Sequence, residues 1–573
     1  MRLFRITILF VIALTGVILL TRQVQVGPEL AERGEALGVA APAGSRLNAI
    51  LTSNQTDASD EFAAAIPVTM HVSELSLEPR AAELSVEQEL DSPLSLAEQA
   101  ERQQAALDLP PDPQIQIASA GPEPNAPILG VNFAALDYAE TATNAPPDPE
   151  IAVGPNHIVA VVNVAIQIYS KTGSDATAVI PANNFFGTHP DCDEGLLYDP
   201  NVVFDEEIGR YLIGFDMGPF STEGGYCLAV SQTSNPTGAW FLYFFHLNNN
   251  STWVDFPQAA VTDSYITVTG NLFDYVPSPS TNYMGAKIWA FNKSQLYAGG
   301  AVVPQSATLG DDYFTMQPLH LHGVAESSWP RHGQRIYFLA DQFDGAHYSL
   351  FVWEPGNVPV LVNEINLGQG GFPINVPQNG PGLLRANDYR LLDFEYRNNY
   401  GWLTQTVSCN PGGGTSNCLR WAQILLVNGQ LGPAGSGTYG SSSEHRIYPD
   451  LAINRCNDLV IGYTKSSTSS FPGIWFTGRK QLDSAGTLQA EAQLKAGEIA
   501  YTSFASDPSP HRWGDYTGMT IDPDGLRFWY IGEYSKDIAT ASRWGTYIGA
   551  FTYPNCQPIN VTDRLYLPIL ARP

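Results

Sequence analysis

The feature that most limits the possible folds is a repeated unit of two apolar strands. Each unit begins with a lead-in that contains Asp or Pro, continues into an apolar strand, and reaches a second apolar strand through a short turn. The unit occurs seven times, at intervals of about 50 to 70 residues. The lead-ins begin at Asp148, Asp199, Asp255, Gln317, Tyr389, Tyr448 and His511. This spacing is typical of β-propeller blades, each of which is a four-stranded sheet.

Closing such a ring requires a strand from the other end of the chain. After Trp529 only one further clear strand follows, over residues 545–551, so the last blade is one strand short. Residues 128–133 (Ile-Leu-Gly-Val-Asn-Phe) are predicted to supply that strand. We therefore predict an all-β fold: a single propeller of seven four-stranded blades over residues 128–557. A β-sandwich or two smaller β domains is the alternative.

The composition fits many short strands joined by turns. The 573 residues include Gly 51 and Pro 42, and only 15% are charged. A chain of this length exceeds one ordinary compact domain unless that domain is built from repeats. Few long helices are expected, which favours the all-β prediction.

The N-terminal region has the composition of an export signal followed by a tether. Residues 1–21 hold two arginines and an apolar run, which predicts either a cleaved signal peptide or a signal-anchor. Residues 22–127 are rich in Ala, Glu, Ser, Pro and Gln, and they predict a disordered acidic linker with some helical tendency over 85–109. Residues 558–573 form a short C-terminal tail.

The net charge and the number of cysteines indicate where the protein is located and which classes of partner it can bind. The net charge of −28 disfavours binding to nucleic acid, because an acidic surface repels phosphate backbones. Six cysteines fit an exported protein, located at the cell surface or secreted. Fifteen pairings are possible. Pairing of neighbours is the simplest prediction: Cys192–Cys227, Cys409–Cys418 and Cys456–Cys556.

Three motifs resemble a group of secreted bacterial β-propeller proteins. They are the segments 152–157 (Ala-Val-Gly-Pro-Asn-His), 229–240 (from Ala-Val-Ser-Gln to Ala-Trp) and 512–516 (Arg-Trp-Gly-Asp-Tyr). The resemblance covers roughly residues 146–551. It implies an exported propeller whose architecture is similar to that of the sialidase-like superfamily, and it implies no particular catalytic residues.

Several charged and aromatic residues precede innermost strands and are predicted to converge on one mouth of the channel. These candidate catalytic residues are Asp515, Arg512, Arg446, Glu444 and Tyr516, with Arg390 beside them. A sialidase-like hydrolase needs arginines, a tyrosine and carboxylates. The alternative is that these residues brace one blade against the next, and it is the favoured interpretation.

Other side chains predict binding sites rather than catalysis. Four aspartates recur at related places in the repeat and are candidate ligands for a structural calcium ion or another ligand: Asp148, Asp199, Asp255 and Asp450. No metal site is otherwise predicted. His320 and His322 would face one side of a strand, and a metal bound with His332 or His347 is the weaker alternative. Four aromatic residues in predicted loops are candidates for stacking on sugar rings, although packing within the loops is the favoured interpretation. They are Phe273, Tyr275, Trp329 and Tyr439.

The sequence thus predicts an exported binding module for glycans or proteins, held at the membrane only through its N-terminal segment and monomeric. The alternative is a glycoside hydrolase or lyase at the channel mouth, and a structural envelope component is a third possibility. No cofactor is predicted beyond the possible calcium. The chain has no Gly-x-Ser-x-Gly, Walker or His-Glu-x-x-His motif.

Overall fold

The computed structural model describes most of the chain from residue 62 onwards. The described residues are 62–77, 92–119, 121, 126–141, 146–193, 195–218, 224–247, 252–275, 279–324, 329, 334–386, 389–503, 509–540 and 542–556. The predictions for 1–21 and 558–573 lie outside them. Within these ranges no helix is long and apolar enough to cross a membrane.

The first described elements belong to the segment that precedes the propeller. They are β1 (Val68–His71), a 3-10 turn (Val72–Glu74), α1 (Leu96–Leu107), β2 (Gln116–Ile117), β3 (Ile128–Asp137) and α2 (Tyr138–Thr141). α1 begins at a capping box, in which the Ser95 side chain accepts from the Glu98 N–H and the Glu98 carboxylate accepts from the Ser95 N–H. The prediction of a disordered linker over 22–127 therefore does not hold for residues 62–77 and 92–119.

The first three blades follow in chain order and consist of antiparallel neighbours. Blade 1 holds β4 (Glu150–Val153), β5 (His157–Val162), β6 (Ala165–Ser170) and β7 (Ile180–Pro181), followed by α3 (Ala182–Phe186) and a 3-10 turn (Pro190–Cys192). Blade 2 holds β8 (Leu197–Asp205), β9 (Arg210–Met217), β10 (Gly225–Ser231) and β11 (Ala239–Phe245). Blade 3 holds β12 (Thr252–Val261), β13 (Tyr265–Tyr275), β14 (Pro279–Asn292) and β15 (Gln305–Thr308), with α4 (Lys293–Tyr297) before β15.

The remaining blades repeat the plan. Blade 4 holds β16 (Phe314–Pro318), β18 (Ile336–Asp341), β19 (His347–Trp353) and β20 (Val360–Asn366), while β17 (His320–Leu321) leaves it to pair with blade 5. A small hairpin of β21 (Val376–Pro377) and β22 (Leu383–Leu384) precedes blade 5, which holds β23 (Leu391–Arg397), β24 (Tyr400–Cys409), β25 (Ser416–Leu425) and β26 (Gln430–Gly440). Blade 6 holds β27 (His445–Ile453), β28 (Leu459–Ser467), β29 (Ser470–Arg479) and β30 (Ala492–Lys495).

Blade 7 is completed by the N-terminal side of the domain, as predicted. It holds β31 (Gly518–Ile521), β32 (Arg527–Ser535) and β33 (Trp544–Thr552), and β3 is its fourth strand. β3 runs antiparallel to β33, with Phe133 opposite Ile548. The seven sheets therefore form a β-propeller whose ring is closed by pairing the two ends of the domain.

The two short N-terminal strands extend the outer edges of two blades, which explains why their surroundings are ordered. β1 pairs with β11 of blade 2, with Met70 opposite Trp240, and β2 pairs in parallel with β26 of blade 5. An outer edge strand has unpaired N–H and C=O groups, which a passing segment can satisfy. Met70 and Ile115 are also buried, so apolar contact accompanies the pairing. Neither the strand pairing nor these apolar contacts can be predicted from the composition of the segment.

All three predicted disulfides are confirmed. Cys192–Cys227 lies in the blade 2 region, Cys409–Cys418 joins β24 to β25, and Cys456–Cys556 joins the first turn of blade 6 to the end of blade 7. Disulfides of this number are typical of exported proteins.

Candidate functional site

The innermost strands reach the channel through a shared backbone distortion. Near the start of five of these strands a residue other than glycine takes a positive φ, and in blades 2, 3, 4 and 6 the pairing register shifts at that residue. The residues with this φ are Asp148 (43°), Asp199 (47°), Phe256 (54°), Thr315 (48°) and Tyr448 (52°). Such a conformation costs about 1–3 kcal/mol and persists only where the surroundings stabilise it. Here hydrogen bonds between blades supply that stabilisation.

The predicted aspartate ligands make those bonds. Asp148 Oδ1 accepts from the Asp515 N–H at 2.6 Å, and its Oδ2 accepts from Asn163 Nδ2 at 2.6 Å. Asn163 Oδ1 in turn accepts from the Asp199 N–H at 2.9 Å, and Asp199 Oδ2 accepts from the Phe256 N–H at 3.1 Å. These bonds link blade 7 to blades 1, 2 and 3. A calcium ion on this ring stays a prediction, and the carboxylates brace blades.

Asp450 and Asp255 complete the predicted set. Asp450 Oδ2 accepts from the Met519 N–H of blade 7 at 2.7 Å, and its Oδ1 accepts from its neighbour Leu451 at 2.6 Å. Asp255 is buried immediately before Phe256. For Asp148, Asp199 and Asp450, the recurrence seen in the sequence therefore corresponds to a recurrent contact between blades.

One mouth of the channel is closed by aromatic rings. Tyr516 of blade 7 donates its hydroxyl hydrogen to the Pro200 carbonyl of blade 2 at 3.0 Å, and its ring meets Phe256 of blade 3 edge-on at 5.6 Å. A side chain of blade 7 makes both contacts only by crossing the channel. The Arg390 guanidinium covers the other side of Phe256 at 4.4 Å, and Tyr448 joins the same buried cluster.

The charged candidate catalytic residues lie in ion pairs, in which Arg446 and Asp515 are buried and Arg512 and Glu444 are partly exposed. Arg446 is fully buried, and its Nε and Nη2 donate to Glu491 at 2.9 and 2.8 Å, while Nη2 also lies 3.2 Å from Glu444. Arg512 Nη2 lies 2.6 Å from Asp515. The first network lies inside blade 6 and the second at the lead-in of blade 7. Their catalytic role stays a prediction, and the geometry is that of bracing pairs.

The aromatic residues weighed as sugar platforms are packed inside the protein where they are described. Phe273 stacks on Trp253 at 5.1 Å, the Trp329 Nε1–H donates to Asp263, and the Tyr439 hydroxyl donates to the Ser119 carbonyl. All three predicted rings are buried. The side chain of Tyr275 lies outside the described residues.

The middle of the channel holds a small polar cavity that the sequence interpretation missed. Its volume is about 50 Å³, and its carboxyl groups are Glu150 from blade 1, Asp393 and Glu395 from blade 5, and Asp450 from blade 6. Gln258 and Gln317 add amides. The sequence signal for this cavity was the alternation of charged and apolar residues over 393–397, because residues two apart in a strand face the same side.

Burial and mutual repulsion keep protons on these carboxyl groups. Burial, then the Asp450 charge, raises the pKa of Glu150 and of Asp393 well above the usual range. Burial raises the pKa of Asp450 to about 8, although a hydrogen bond with Asp393 opposes the shift. An unfolded aspartate has a pKa of about 3.9. Between about pH 4 and pH 8 the folded chain therefore holds a proton that the unfolded chain has released, and stability falls as the pH rises.

Asp393→Asn is expected to reduce this pH dependence, because an uncharged amide replaces a group that must otherwise ionise or stay protonated. Melting temperatures measured at pH 5 and pH 9 should differ less in the variant than in the parent. Part of the difference should remain, since the raised pKa of His322 acts in the same direction. The exposed Asp537→Asn is the control and should behave like the parent. If the difference in melting temperature between pH 5 and pH 9 is equally reduced in Asp393→Asn and in Asp537→Asn, the buried carboxyl groups are not the cause of the pH dependence.

The cavity ends at a cluster of two histidines and two glutamates. His320 and His322 stack at 4.5 Å, as their spacing predicts. His322 Nδ1 lies 2.8 Å from Glu206 Oε1, and its Nε2 lies 2.8 Å from Glu395 Oε2. Burial lowers the pKa of His322, but the two carboxylates outweigh burial and raise it to about 10. Burial lowers the pKa of His320 well below its usual value.

The other two histidines weighed as metal partners are not described in this cluster. His347 instead lies on blade 4, where its Nδ1 is 2.7 Å from Asp344. His332 lies outside the described residues.

A larger cleft lies between the N-terminal segment and blade 5. Its volume is about 310 Å³. Its lining is Leu109, Pro110, Pro111, Asp112, Pro113, Ile115, Gln369, Val407, Ser408, Cys409, Asn410, Arg420 and Thr438. The roof is held by the Asp112 N–H, which donates to the Asn410 carbonyl, and by Asn410 Nδ2, which donates to the Leu109 carbonyl. This cleft could not be predicted from the sequence, because half of it is built by a segment predicted to be disordered.

Arg420 is a buried charged residue on the floor of the cleft, and a hydrogen bond fixes its guanidinium. It is 3% exposed, and its Nη1 donates to the Gly345 carbonyl at 2.7 Å. Its Nε meets no hydrogen-bond partner among the described residues. A buried donor without a partner favours a ligand or a water at that point.

Among the described residues, the fold and these cavities define a β-propeller with a ligand-sized cleft beside blade 5 and a small polar cavity in its channel. No family model matches the sequence, and no curated protein matches it. Solved structures that match include a protein of unknown function from Dyadobacter fermentans, with 9% identity and a TM-score of 0.37 over 62% of this chain and 94% of that one.

Two glycan-related structures also match. An α-L-arabinanase from Cellvibrio cellulosa has 11% identity and a TM-score of 0.30, over 60% of this chain and 94% of that one. The NanB sialidase from Streptococcus pneumoniae has 10% identity and a TM-score of 0.35, over 74% of this chain and 70% of that one. Similarity at this level says nothing about activity, and membership of the secreted propeller group stays a prediction.

Proposed function

We propose that this chain is an exported, non-enzymatic binding module that holds a glycan in the cleft between the N-terminal segment and blade 5. The observation that carries the proposal is the cleft of about 310 Å³, which falls in the range of about 300–1,000 Å³ that small-molecule sites occupy. The hydrophobic segment 1–21 and the three disulfides fit a chain that works outside the membrane, at the cell surface or after secretion.

The chemistry of the lining favours a sugar. Ser408, Asn410 and Thr438 provide hydroxyl and amide groups, and Arg420 adds a guanidinium. Prolines and Leu109 form an apolar wall opposite them. A sugar ring has hydroxyls at its rim and C–H groups on its faces, so it meets both kinds of surface.

The hydrolase alternative is weakened by the channel. Of the residues that it needs at the mouth, Arg446, Asp515 and Tyr516 are buried, whereas Arg512 and Glu444 are partly exposed. Arg446 pairs with Glu491, Arg512 pairs with Asp515, and the Tyr516 hydroxyl donates to the Pro200 carbonyl. The polar cavity behind them, at about 50 Å³, is much smaller than the sites in which ligands bind. Its carboxyl groups therefore have room for a few waters rather than for a sugar.

Thr438→Trp is expected to weaken glycan binding by filling the cleft. The full chain would be screened on a glycan array, and the affinity for the best glycan would be measured by calorimetry. We expect the affinity of the variant to be at least about tenfold lower than that of the parent, a loss of about 1.4 kcal/mol. The matched control is Thr308→Trp, on the outer strand of blade 3. The proposal fails if the folded parent binds no glycan, or if both variants bind equally well.

A further inference from the structure

We propose that His320, His322 and Glu395 bind a divalent transition-metal ion of the Zn²⁺ type inside the propeller channel. This inference is independent of the glycan cleft and uses none of its residues. One donor atom from each of the three side chains lies within 4.8 Å of the other two, and all three side chains are buried. The group lies where the cavity of about 50 Å³ ends.

The separations are close to those that a tetrahedral ion requires. Zinc–ligand bonds of about 2.0–2.2 Å place neighbouring ligand atoms about 3.3 Å apart. His320 Nδ1 lies 3.6 Å from Glu395 Oε1, and His322 Nε2 lies 2.8 Å from Glu395 Oε2. Small rotations that open the stacked rings bring the three donors around one point.

A further carboxylate orients His322 as metal-binding histidines are commonly oriented. Glu206 Oε1 lies 2.8 Å from His322 Nδ1, and Glu206 Oε2 accepts from the Gly323 N–H at 3.0 Å. A ligating histidine usually donates its second ring N–H to a carboxylate, which fixes the ring and raises its basicity. With Nδ1 occupied in this way, Nε2 is the nitrogen turned to Glu395.

The other ring nitrogen of His320 favours a ligand or a water in the adjoining cavity. His320 is 8% exposed and lines the cavity, and its Nε2 meets no hydrogen-bond partner in the described parts of the chain. Buried polar atoms nearly always have a partner. The cavity leaves room for a water as a fourth ligand.

The donor set and its charge select the class of ion. Imidazole with carboxylate suits zinc and similar ions, whereas calcium and magnesium prefer oxygen alone. Glu206 and Glu395 together offset the charge of a divalent ion. The other group of potential ligands, Cys456, Asp458 and Cys556, is unsuitable because its cysteines form a disulfide.

Bound metal would join three blades. Glu206 follows the inner strand of blade 2, Glu395 belongs to blade 5, and His320 and His322 lie on the segment that leaves blade 4 for blade 5. An ion that binds only the folded state stabilises it by mass action. The metal would therefore act as a staple across the channel.

The test is a metal titration of the full chain after treatment with a chelator. Calorimetry with Zn²⁺ should give about one site per chain, Co²⁺ should give the absorption of a tetrahedral complex, and added Zn²⁺ should raise the melting temperature. His322→Gln and His320→Gln should remove all three signals. Glu206→Gln should lower the affinity about 10–100-fold. His347→Gln, which changes a histidine on blade 4, should behave like the parent.

Each outcome decides the matter. No binding by the parent overturns the proposal, and so does binding that survives in His320→Gln. Circular dichroism identifies any variant that fails to fold, and the partial effect of Glu206→Gln then serves as the deciding result. If His347→Gln loses as much metal binding as the channel variants, the metal binds at the surface of blade 4 and the proposal is wrong.

Discussion

Glu491→Ala is expected to lower the free energy of unfolding by about 3–5 kcal/mol, because it leaves buried cations without their partner. Glu491 lies 2.8 Å from Arg446 Nη2 and 2.7 Å from Lys465 Nζ, and it accepts from the Tyr463 hydroxyl at 2.6 Å. Burial raises the pKa of Glu491, but Arg446 outweighs this effect and holds the pKa below its usual value. Chemical denaturation followed by tryptophan fluorescence measures the change.

The control is an ion pair that water surrounds. Arg335 and Glu354 lie 3.0 Å apart, and about half of each side chain is exposed. Glu354→Gln should leave the unfolding transition nearly unchanged, because exposed pairs contribute little. If Glu491→Ala is as mild as this control, Arg446 is free to act on a ligand and the bracing account of blade 6 is wrong.

Removal of the disulfide between blades 6 and 7 is the second large effect. Cys456 and Cys556 are 100 residues apart, and a loop of that size corresponds to about 4.7 kcal/mol in the chain-entropy description. The double variant Cys456→Ser with Cys556→Ser should lower the melting temperature strongly, since this bond also holds the blade that closes the ring.

A second pair provides the comparison. Cys409 and Cys418 are 9 residues apart, for which the same description gives about 2.6 kcal/mol. The corresponding double serine variant should therefore be the milder one in calorimetry. The reverse order would show that loop closure is not what the long-range disulfide contributes.

Much of the fold could be predicted because its signals are local and repeated. Apolar strands at blade spacing gave seven sheets, and the missing strand in the last blade led to the strand that begins at Ile128. The short strands β1 and β2 were missed, since two to four residues in an acidic, polar segment carry no periodicity. They are ordered by the blade edges that they join, a property of the partner rather than of their own residues.

The candidate site was predicted less well because it depends on which residues meet across the ring. Arg446 and Asp515 have the chemistry of a hydrolase, but Glu491 and Arg512 neutralise them. Glu395 and Glu206 were overlooked because they are 189 positions apart and meet only through His322. Proximity of this kind arises from the closure of the propeller, which no local pattern contains.

The closed channel mouth shapes the functional account. Tyr516 and Phe256 pack together at the end at which a propeller enzyme was predicted to work, and the cleft beside blade 5 is a ligand-sized space elsewhere in the described part of the chain. This arrangement supports the proposal of binding without turnover, in which the prolines of the N-terminal segment form the roof of the cleft.

The most direct test is to recover the glycan after binding. The full chain would be incubated with the glycan that the array selects, and the sugar analysed by mass spectrometry over hours. We predict that it is recovered intact from the parent and is not retained by Thr438→Trp. Shortened or modified products, absent when the Thr438→Trp or Asp515→Ala variant is used, would contradict a binding module and return the chain to the glycoside hydrolases or lyases.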